Sequence, residues 1–356
     1  MSAALSRARK ITVPAPVLQG FVGGVFERAG MSAAHAALVA QSLLWSNLRG
    51  VDTHGVSRVA RYVEFIETGI INAKPGLRAV TDTPAVQVLD ADRAAGAIAM
   101  IAAADVALAK AAAVGMGMVM VRGTTHTGAI GMYTERIARR GMAGIAICAS
   151  IPNMAYHGAR AAGVSTAPLS IAVPGAGDTP VVFDMSTGIV SLGRLMQAKR
   201  MQETLAPGLA LDAQGQPTTD SQLASIPLPL GGAKGSGLAL MIEMLSSLAV
   251  GNPLLAEFFS GKPGAKRHRQ NALVIAVDVF RFCPEPTFRA DVARTLAALK
   301  ALPADPELGG ILIPGERGYA EAERRGRDGI PVPPGVAADL AAVALKFGLA
   351  LPWEAQ

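Results

Sequence analysis

From Ala85 onward, short apolar runs alternate with longer segments of helical period, and this alternation restricts the fold more than any other feature of the chain. AVQVLDA (85–91), MGMVMVRG (116–123), GIAICAS (144–150), PLSIAVPG (168–175), VVFDMST (181–187), ALVIAVDV (272–279) and GGILIPGERG (309–318) read as strands. Between them, 93–114, 129–140, 191–203 and 288–301 read as helices, and GGAKGSGLALMIEMLSSLAVG (231–251) reads as a glycine turn running into a long helix. Strands that alternate with helices need a sheet covered by those helices, so the expected class is α/β with a mixed sheet. The chain before Ala85 has a different texture. Residues 15–48 read as two amphipathic helices, the second opening at Ser32, and a third helix starts at Asp52 or Thr53 and ends near Gly69. Pro75-Gly76 closes this segment. The expected organisation is a helical unit over 1–80, a central α/β domain over 81–320, and a helical tail over 321–356 that packs back on the first unit.

Composition narrows the class. The chain has 356 residues, 51% hydrophobic and 17% charged, which suits a packed globular protein. The richest apolar stretch, 94–121, is mostly alanine and is broken by Asp105, Lys110 and glycines, so no membrane span is expected. MSAALSRARKITVPAP has basic residues with no apolar core behind them, and no secretory signal is expected. Cys148 and Cys283 lie in or just after apolar runs and read as buried thiols of a cytoplasmic protein, with no metal-type spacing of cysteines or histidines. A net charge of +6 raises nucleic acid as a partner, but the basic residues are scattered and aromatics make up only 4%. The one basic cluster, KPGAKRHR (262–269), lies in a Gly/Pro-containing stretch and reads as a solvated loop. The field suits small anionic substrates and a dinucleotide instead.

Four constellations carry chemistry. In DTHGVSRVARY (52–62), spacings of four and three put His54, Arg58 and Arg61 on one helix face, opposite an apolar stripe of Val56, Val59, Val63 and Ile66. That polar face is either a solvated surface or an anion site with its own proton donor. His126 sits in TTHTG, just past a strand, as a capping or a functional histidine. Asp184 ends VVF, either as a helix cap or as a carboxylate that orients a histidine or holds a cofactor hydroxyl. GGAKGSG (231–237) opens a helix, where bare backbone N–H groups and the helix dipole favour an anion and Lys234 adds a counter-charge. The loop matches neither the Walker pattern nor a Rossmann G-x-G-x-x-G after the first strand, and no serine sits in G-x-S-x-G.

Together, SNLRGVDTHGVSRVARYVEFIETGIINAKP (46–75), TTHTGAIGMY (124–133), VVFDMST (181–187), LDAQGQPTTD (211–220), LPLGGAKGSGLALMIEML (228–245) and ILIPGERG (311–318) resemble the malate/L-lactate dehydrogenase-like 2-oxoacid reductases. That family is non-Rossmann and includes ureidoglycolate, sulfolactate, diketogulonate and piperideine-carboxylate members. The resemblance implies reduction of a 2-oxo acid or cyclic imino acid, or the reverse oxidation, with NADH or NADPH bound on a non-Rossmann sheet domain. It implies a homodimer, with the site near the subunit interface and between a helical unit and the sheet domain. It makes His54 the acid/base, a role that asks for a pKa near neutral. Arg58 becomes the anchor for the substrate carboxylate, with Thr53 beside it. His126 lies in the same cleft, and Asp184 is a candidate partner for the imidazole. Arg61 is left to pair with a structural carboxylate. Val182, Phe183, Asp184, Met185, Ser186, Thr187, Ala233, Lys234, Gly315, Glu316 and Arg317 match the cofactor contacts, and no metal is implied.

Two departures stand out. The family's G-T-N-P turn is Ser165-Thr166-Ala167-Pro168 here, and its N-H pair is Thr125-His126, so two amides are missing. This leaves substrate identity open, with a cyclic imino acid reductase and a non-catalytic nucleotide-binding relative as alternatives. Arg194, Lys199 and Arg200 are available to a 2′-phosphate, but nothing in the sequence separates NADH from NADPH.

Overall fold

The computed structural model describes residues 11–354; the first ten residues of the stretch read for a secretory signal lie outside the described residues. In chain order come β1 (Ile11–Val13), α1 (Ala15–Arg28), α2 (Ala33–Leu48), α3 (Val59–Glu67), β2 (Arg78–Asp82), β3 (Val86–Asp90), α4 (Gly96–Val114) and β4 (Met116–Thr124). Next are α5 (Gly131–Ala138), β5 (Ala143–Ser150), β6 (Met154–Ala155), β7 (Ala162–Val164), β8 (Pro168–Val173), β9 (Val181–Ser186) and α6 (Leu192–Met201). The short strands β10 (Ala210–Leu211), β11 (Pro217–Thr218) and β12 (Ile226–Pro227) precede α7 (Ala233–Ser246) and α8 (Leu255–Phe258). The chain ends with β13 (Gln270–Val277), α9 (Glu285–Lys300), α10 (Glu316–Asp328), β14 (Ile330–Val332) and α11 (Pro334–Phe347). Two compact units divide it: residues 1–74 with 316–356, and residues 75–315.

The first unit is helical. Ser32 caps α2 by accepting a hydrogen bond from the His35 N–H at 3.2 Å. α10 packs on α2, α11 packs on α1 and α3, and β1 pairs antiparallel with β14. Leu18, Val22, Phe26, Val39, Val59 and Leu340 are fully buried, each contributing on the order of 2 kcal/mol of apolar burial. The single helix expected from Asp52 is instead two 3₁₀ turns, Asp52–His54 and Val56–Arg58, followed by α3. Gly55 separates the turns in an extended conformation, φ −94° and ψ −148°. A Cβ there would stand 2.1 Å from Asn47 Oδ1, so only glycine lets the chain pass. The apolar stripe survives this break: Val56, Val59 and Val63 are buried.

In the second unit seven strands form one mixed sheet in the order β2-β3-β4-β13-β5-β8-β9. Only β3 and β4 run parallel, joined through α4; every other pair is antiparallel. By length and apolarity α4 passes as a membrane span, contrary to the expectation from its alanines. Its small face is packed on β4 and β13, close enough that a Cβ at Gly117 would meet the Ala107 carbonyl at 2.1 Å. α5 covers β5 and β8 on the same side, while α7 meets Ile147 and Leu273, which alternate to the other face.

Three expectations need correction. Residues 309–318 form no strand: Gly309, Gly310 and Gly315 take positive φ and Pro314 lacks a ladder donor. The segment runs irregularly beside the outer edge of β9, where Val182 N–H donates to the Pro314 carbonyl at 3.3 Å. Cys148 is buried, but Cys283 is only half-buried. In the basic stretch 262–269, Lys262, Lys266 and Arg267 are solvated, whereas His268 and Arg269 are half-buried.

Candidate active site

The turn that carries His54 is fixed by an ion-pair network centred on the buried Arg325. Arg325 forks onto Asp52, with Nη1 to Oδ1 at 2.6 Å and Nη2 to Oδ2 at 3.0 Å, and its Nε donates to Glu321 at 2.5 Å. Asn47 Nδ2 donates to Asp52 Oδ1 at 2.6 Å, and its Oδ1 accepts the Val56 N–H at 2.7 Å. The Arg324 hydrogen bond, with Arg325 adding to it against the cost of burial, holds the Glu321 carboxyl down at about 2. Arg325, the buried charge under the turn, is therefore paired with two carboxylates.

On this base, the Thr53 hydroxyl stands 3.0 Å from His54 Nδ1, and Arg58 Nε donates to the Thr53 carbonyl at 2.6 Å. Thr53, His54 and Arg58 thus form one local constellation. Arg61 is apart from it, bound to the exposed carboxylate of Glu64 at 2.6 Å. Burial, and then the Arg58 guanidinium, push the imidazole of His54 down to about 4. The near-neutral value asked of a proton donor is not what this turn provides. At pH 7 His54 is neutral, suited to accepting a proton.

In the second unit, the TTHTG turn is clamped through Thr127. Its N–H donates to Gln270 Oε1 at 2.9 Å, its carbonyl accepts Tyr133 Oη at 2.6 Å, and its hydroxyl donates to Cys148 Sγ at 3.4 Å. Cys148 in turn donates to Gln270 Oε1 at 3.3 Å, and burial raises its thiol to about 12, so it acts here as a packed donor. On the other side α4 begins so close that a Cβ at Gly96 would lie 2.3 Å from the His126 carbonyl. His126 therefore sits on a rigid backbone. Its ring has a neighbour that sequence reasoning missed: the His268 ring, with centroids 6.4 Å apart and planes at 44°.

β9 gathers the remaining segments of this unit. Asp184 Oδ2 accepts the Gly131 N–H at 2.8 Å, at the start of α5, and Gly131 is needed there because a Cβ would meet that oxygen at 2.8 Å. Asp184 thus caps the helix after the His126 turn, not the one that follows β9. Val182 borders Pro314, next to Gly315, and the Thr187 carbonyl accepts the Leu230 N–H at 2.9 Å. Phe183 and Asp184 are exposed, Met185 and Ser186 half-buried, Thr187 buried. So Gly131, Leu230 and Pro314 each bond to β9 or to Thr187 at its end. Glu316 and Arg317 open α10 in the other unit.

Gly231 and Gly232 take φ +59° and +62°, and Ala233 and Lys234 are exposed in the first turn of α7, which no side chain caps. A Cβ on Gly232 would stand 3.2 Å from the His157 ring. Beside this turn lies a cavity of about 360 Å³ lined by Tyr156, His157, Ile189, Leu228, Gly231 and Gly232. A bare helix start, a lysine and an adjoining cleft of this size fit the phosphates and a flat end of a dinucleotide.

At the two departures from the family pattern the chain is filled in rather than hollow. Thr125 is buried and its hydroxyl donates to the Ala94 carbonyl at 3.0 Å. Ala167 is buried in the apolar cluster with Met154, Val164 and Leu254.

Residues 13–341 match the malate/L-lactate dehydrogenase family model. The malate dehydrogenase of Pyrococcus horikoshii is 30% identical over 95% of this chain and 96% of its own length. The NAD(+) ureidoglycolate dehydrogenase of Escherichia coli K12 is 31% identical over 86% of this chain and 88% of its own. The solved structure of sulfolactate dehydrogenase from Methanocaldococcus jannaschii superposes with a TM-score of 0.83 at 30% identity, covering 95% of this chain and 98% of that one.

Proposed function

The chain belongs to the malate/L-lactate dehydrogenase family of enzymes, and from that membership we propose an NAD(P)-dependent oxidoreductase of small 2-hydroxy and 2-oxo acids. The observation that carries the proposal is the turn in which a neutral imidazole is held by Thr53 with a guanidinium one turn on. The bound nicotinamide supplies or takes the hydride. His54 does the proton work: neutral at pH 7, it accepts the hydroxyl proton of a 2-hydroxy acid and returns it in the reverse direction. Arg58 holds the substrate carboxylate with its planar fork. His126, on its clamped turn in the sheet unit, is the second candidate histidine, and Asp184 keeps that turn and α5 in register. Val182 to Thr187, Ala233, Lys234 and Gly315, all in the sheet unit, are the residues that would hold the coenzyme. The NAD(+) ureidoglycolate dehydrogenase of Escherichia coli, as a relative, supports NAD, while Arg194, Lys199 and Arg200 leave NADP as the other arm of the test.

The low pKa of His54 also favours a second reading. A neutral imidazole is a weak donor to a ketone, whereas a protonated cyclic imine needs no donor, so reduction of a cyclic imino acid fits the same turn.

The cytoplasmic reading and the homodimer stand with this proposal. Leu238, Met241, Leu245 and Leu248 are 37–52% exposed at helical spacing along and just beyond α7, and a second copy of the chain covers them.

The test follows absorbance of NADH and NADPH separately against 2-oxo acids and cyclic imino acids, and of the oxidised forms against 2-hydroxy acids. Turnover of at least one acid with one nucleotide is expected. Nucleotide binding with no turnover on the whole panel overturns the assignment.

A further inference from the structure

Tyr156 and His157 line the cavity beside the start of α7, outside the segments that match the family's cofactor contacts. They lie in the connection between β6 and β7, where the Ala159 N–H closes a turn on the Tyr156 carbonyl at 2.8 Å. Two glycines fix that turn in place. A Cβ at Gly215, in the β10–β11 hairpin, would stand 2.3 Å from the Arg160 carbonyl, and one at Gly232 would stand 3.2 Å from His157 Nδ1 and Cε1. The imidazole is thus laid against the backbone of the glycine turn that opens α7. His157 and Lys234 are both exposed, and among the described residues no protein group bonds either the ring or the amine. None of the residues lining the cavity is acidic.

NADP differs from NAD by one phosphate on the adenosine 2′-oxygen. A carboxylate at that position favours the bare hydroxyl, and a basic or N–H-donating group favours the phosphate. The phosphate hangs from the ribose next to the pyrophosphate, so its reader stands within the span of a sugar from the turn that holds the pyrophosphate. Of the basic residues on α6, Arg194 is taken by Glu203 at 2.6 Å and the Lys199 amine by the Gln222 carbonyl at 3.1 Å. We propose that His157 is a coenzyme-selectivity residue that reads the 2′-phosphate, so that this chain prefers NADPH to NADH. The inference rests on the reading of the α7 start as the pyrophosphate site. Lys234, in the first turn of that helix, serves the pyrophosphate that both coenzymes share, and His157 serves the group that only one of them carries. A neutral imidazole has one N–H and a charged one has two, so the ring donates to a phosphate in either state. Tyr156, Ile189 and Leu228 line the same cavity and suit the apolar face of the adenine ring.

The experiment measures dissociation constants of NADPH and NADH from nucleotide fluorescence, without substrate, in the wild type, His157→Ala, His157→Gln, Lys234→Gln and the α6 control Arg194→Gln. The His157 side chain is exposed, so its replacement leaves the fold intact. The wild type is expected to bind NADPH about 10-fold or more tighter than NADH. His157→Ala weakens NADPH by about 10-fold, the loss of one charge-assisted hydrogen bond, and NADH by no more than about twofold. His157→Gln, which keeps an N–H donor, loses less. Lys234→Gln weakens both coenzymes alike and keeps their ratio, and Arg194→Gln keeps that ratio too. Equal losses of the two coenzymes in His157→Ala, or none, overturn the assignment, because the ring then touches the shared pyrophosphate or only shapes the loop. A ratio that collapses in Lys234→Gln or Arg194→Gln but not in His157→Ala overturns it by naming a different reader. Tight NADH with weak NADPH overturns the assignment and leaves the oxidoreductase standing, whereas a wild type that binds neither coenzyme overturns the functional reading as well.

Discussion

A histidine that is neutral at pH 7 takes a proton more readily than it gives one, and His54 is kept in that form by burial and by Arg58. The same fact has a consequence for stability. His54 has a folded pKa near 4 against an ordinary 6.5, so below pH 6.5 the unfolded chain binds a proton that the folded chain refuses. Its contribution is complete above pH 6.5 and is lost as pH falls toward 4. Between pH 7 and pH 5 this one group should cost about 2 kcal/mol of stability, and His54→Gln should remove that part of the loss. Urea unfolding of both proteins at the two pH values measures it, and equal losses would contradict the burial argument. His54, Arg58 and the two histidine turns were legible because their spacing is local. Arg325 was not: it pairs with Asp52 across 273 positions, and no local pattern encodes such a partner. Gln270, 143 positions from Thr127, was hidden for the same reason.

Among the elements, what periodicity could read was read: α1, α2 with its Ser32 cap, α4, α5, α6 and the core strands lie where the apolar pattern placed them. The misses have physical causes. The helix from Asp52 breaks at Gly55 because Asn47 occupies the space beside it, a contact invisible to helical spacing. The stretch 309–318 has the apolar content of a strand but glycines and a proline where a ladder needs regular backbone. The 3₁₀ turns around Gly55 survive because the Asp52–Arg325 pair and Asn47 replace the missing helical bonds. Arg325→Met removes the guanidinium from the half-exposed Asp52, which keeps only the Asn47 amide, and should cost about 1–2 kcal/mol in denaturant unfolding. A loss below about 0.5 kcal/mol would show the pair to be dispensable.

For the whole molecule, the apolar stripe along α7 sets the expectation of two chains. Met241 is 51% exposed at its centre, and Met241→Lys places a charge where a second copy would bury it. Sedimentation should show a dimer for the wild type and a shift toward one chain for the variant; a monomeric wild type would remove the stripe's explanation. The α/β class was legible from the alternation of strands and helices, but the sheet's order was not, since β13 inserts between β4 and β5 from far along the chain. The most direct test of the account remains the proton transfer at His54. With the best 2-hydroxy acid found for the wild type, His54→Ala should lower kcat by about 10²–10⁴ while nucleotide affinity changes by no more than about threefold. A variant that turns over at the wild-type rate would contradict the account at its centre.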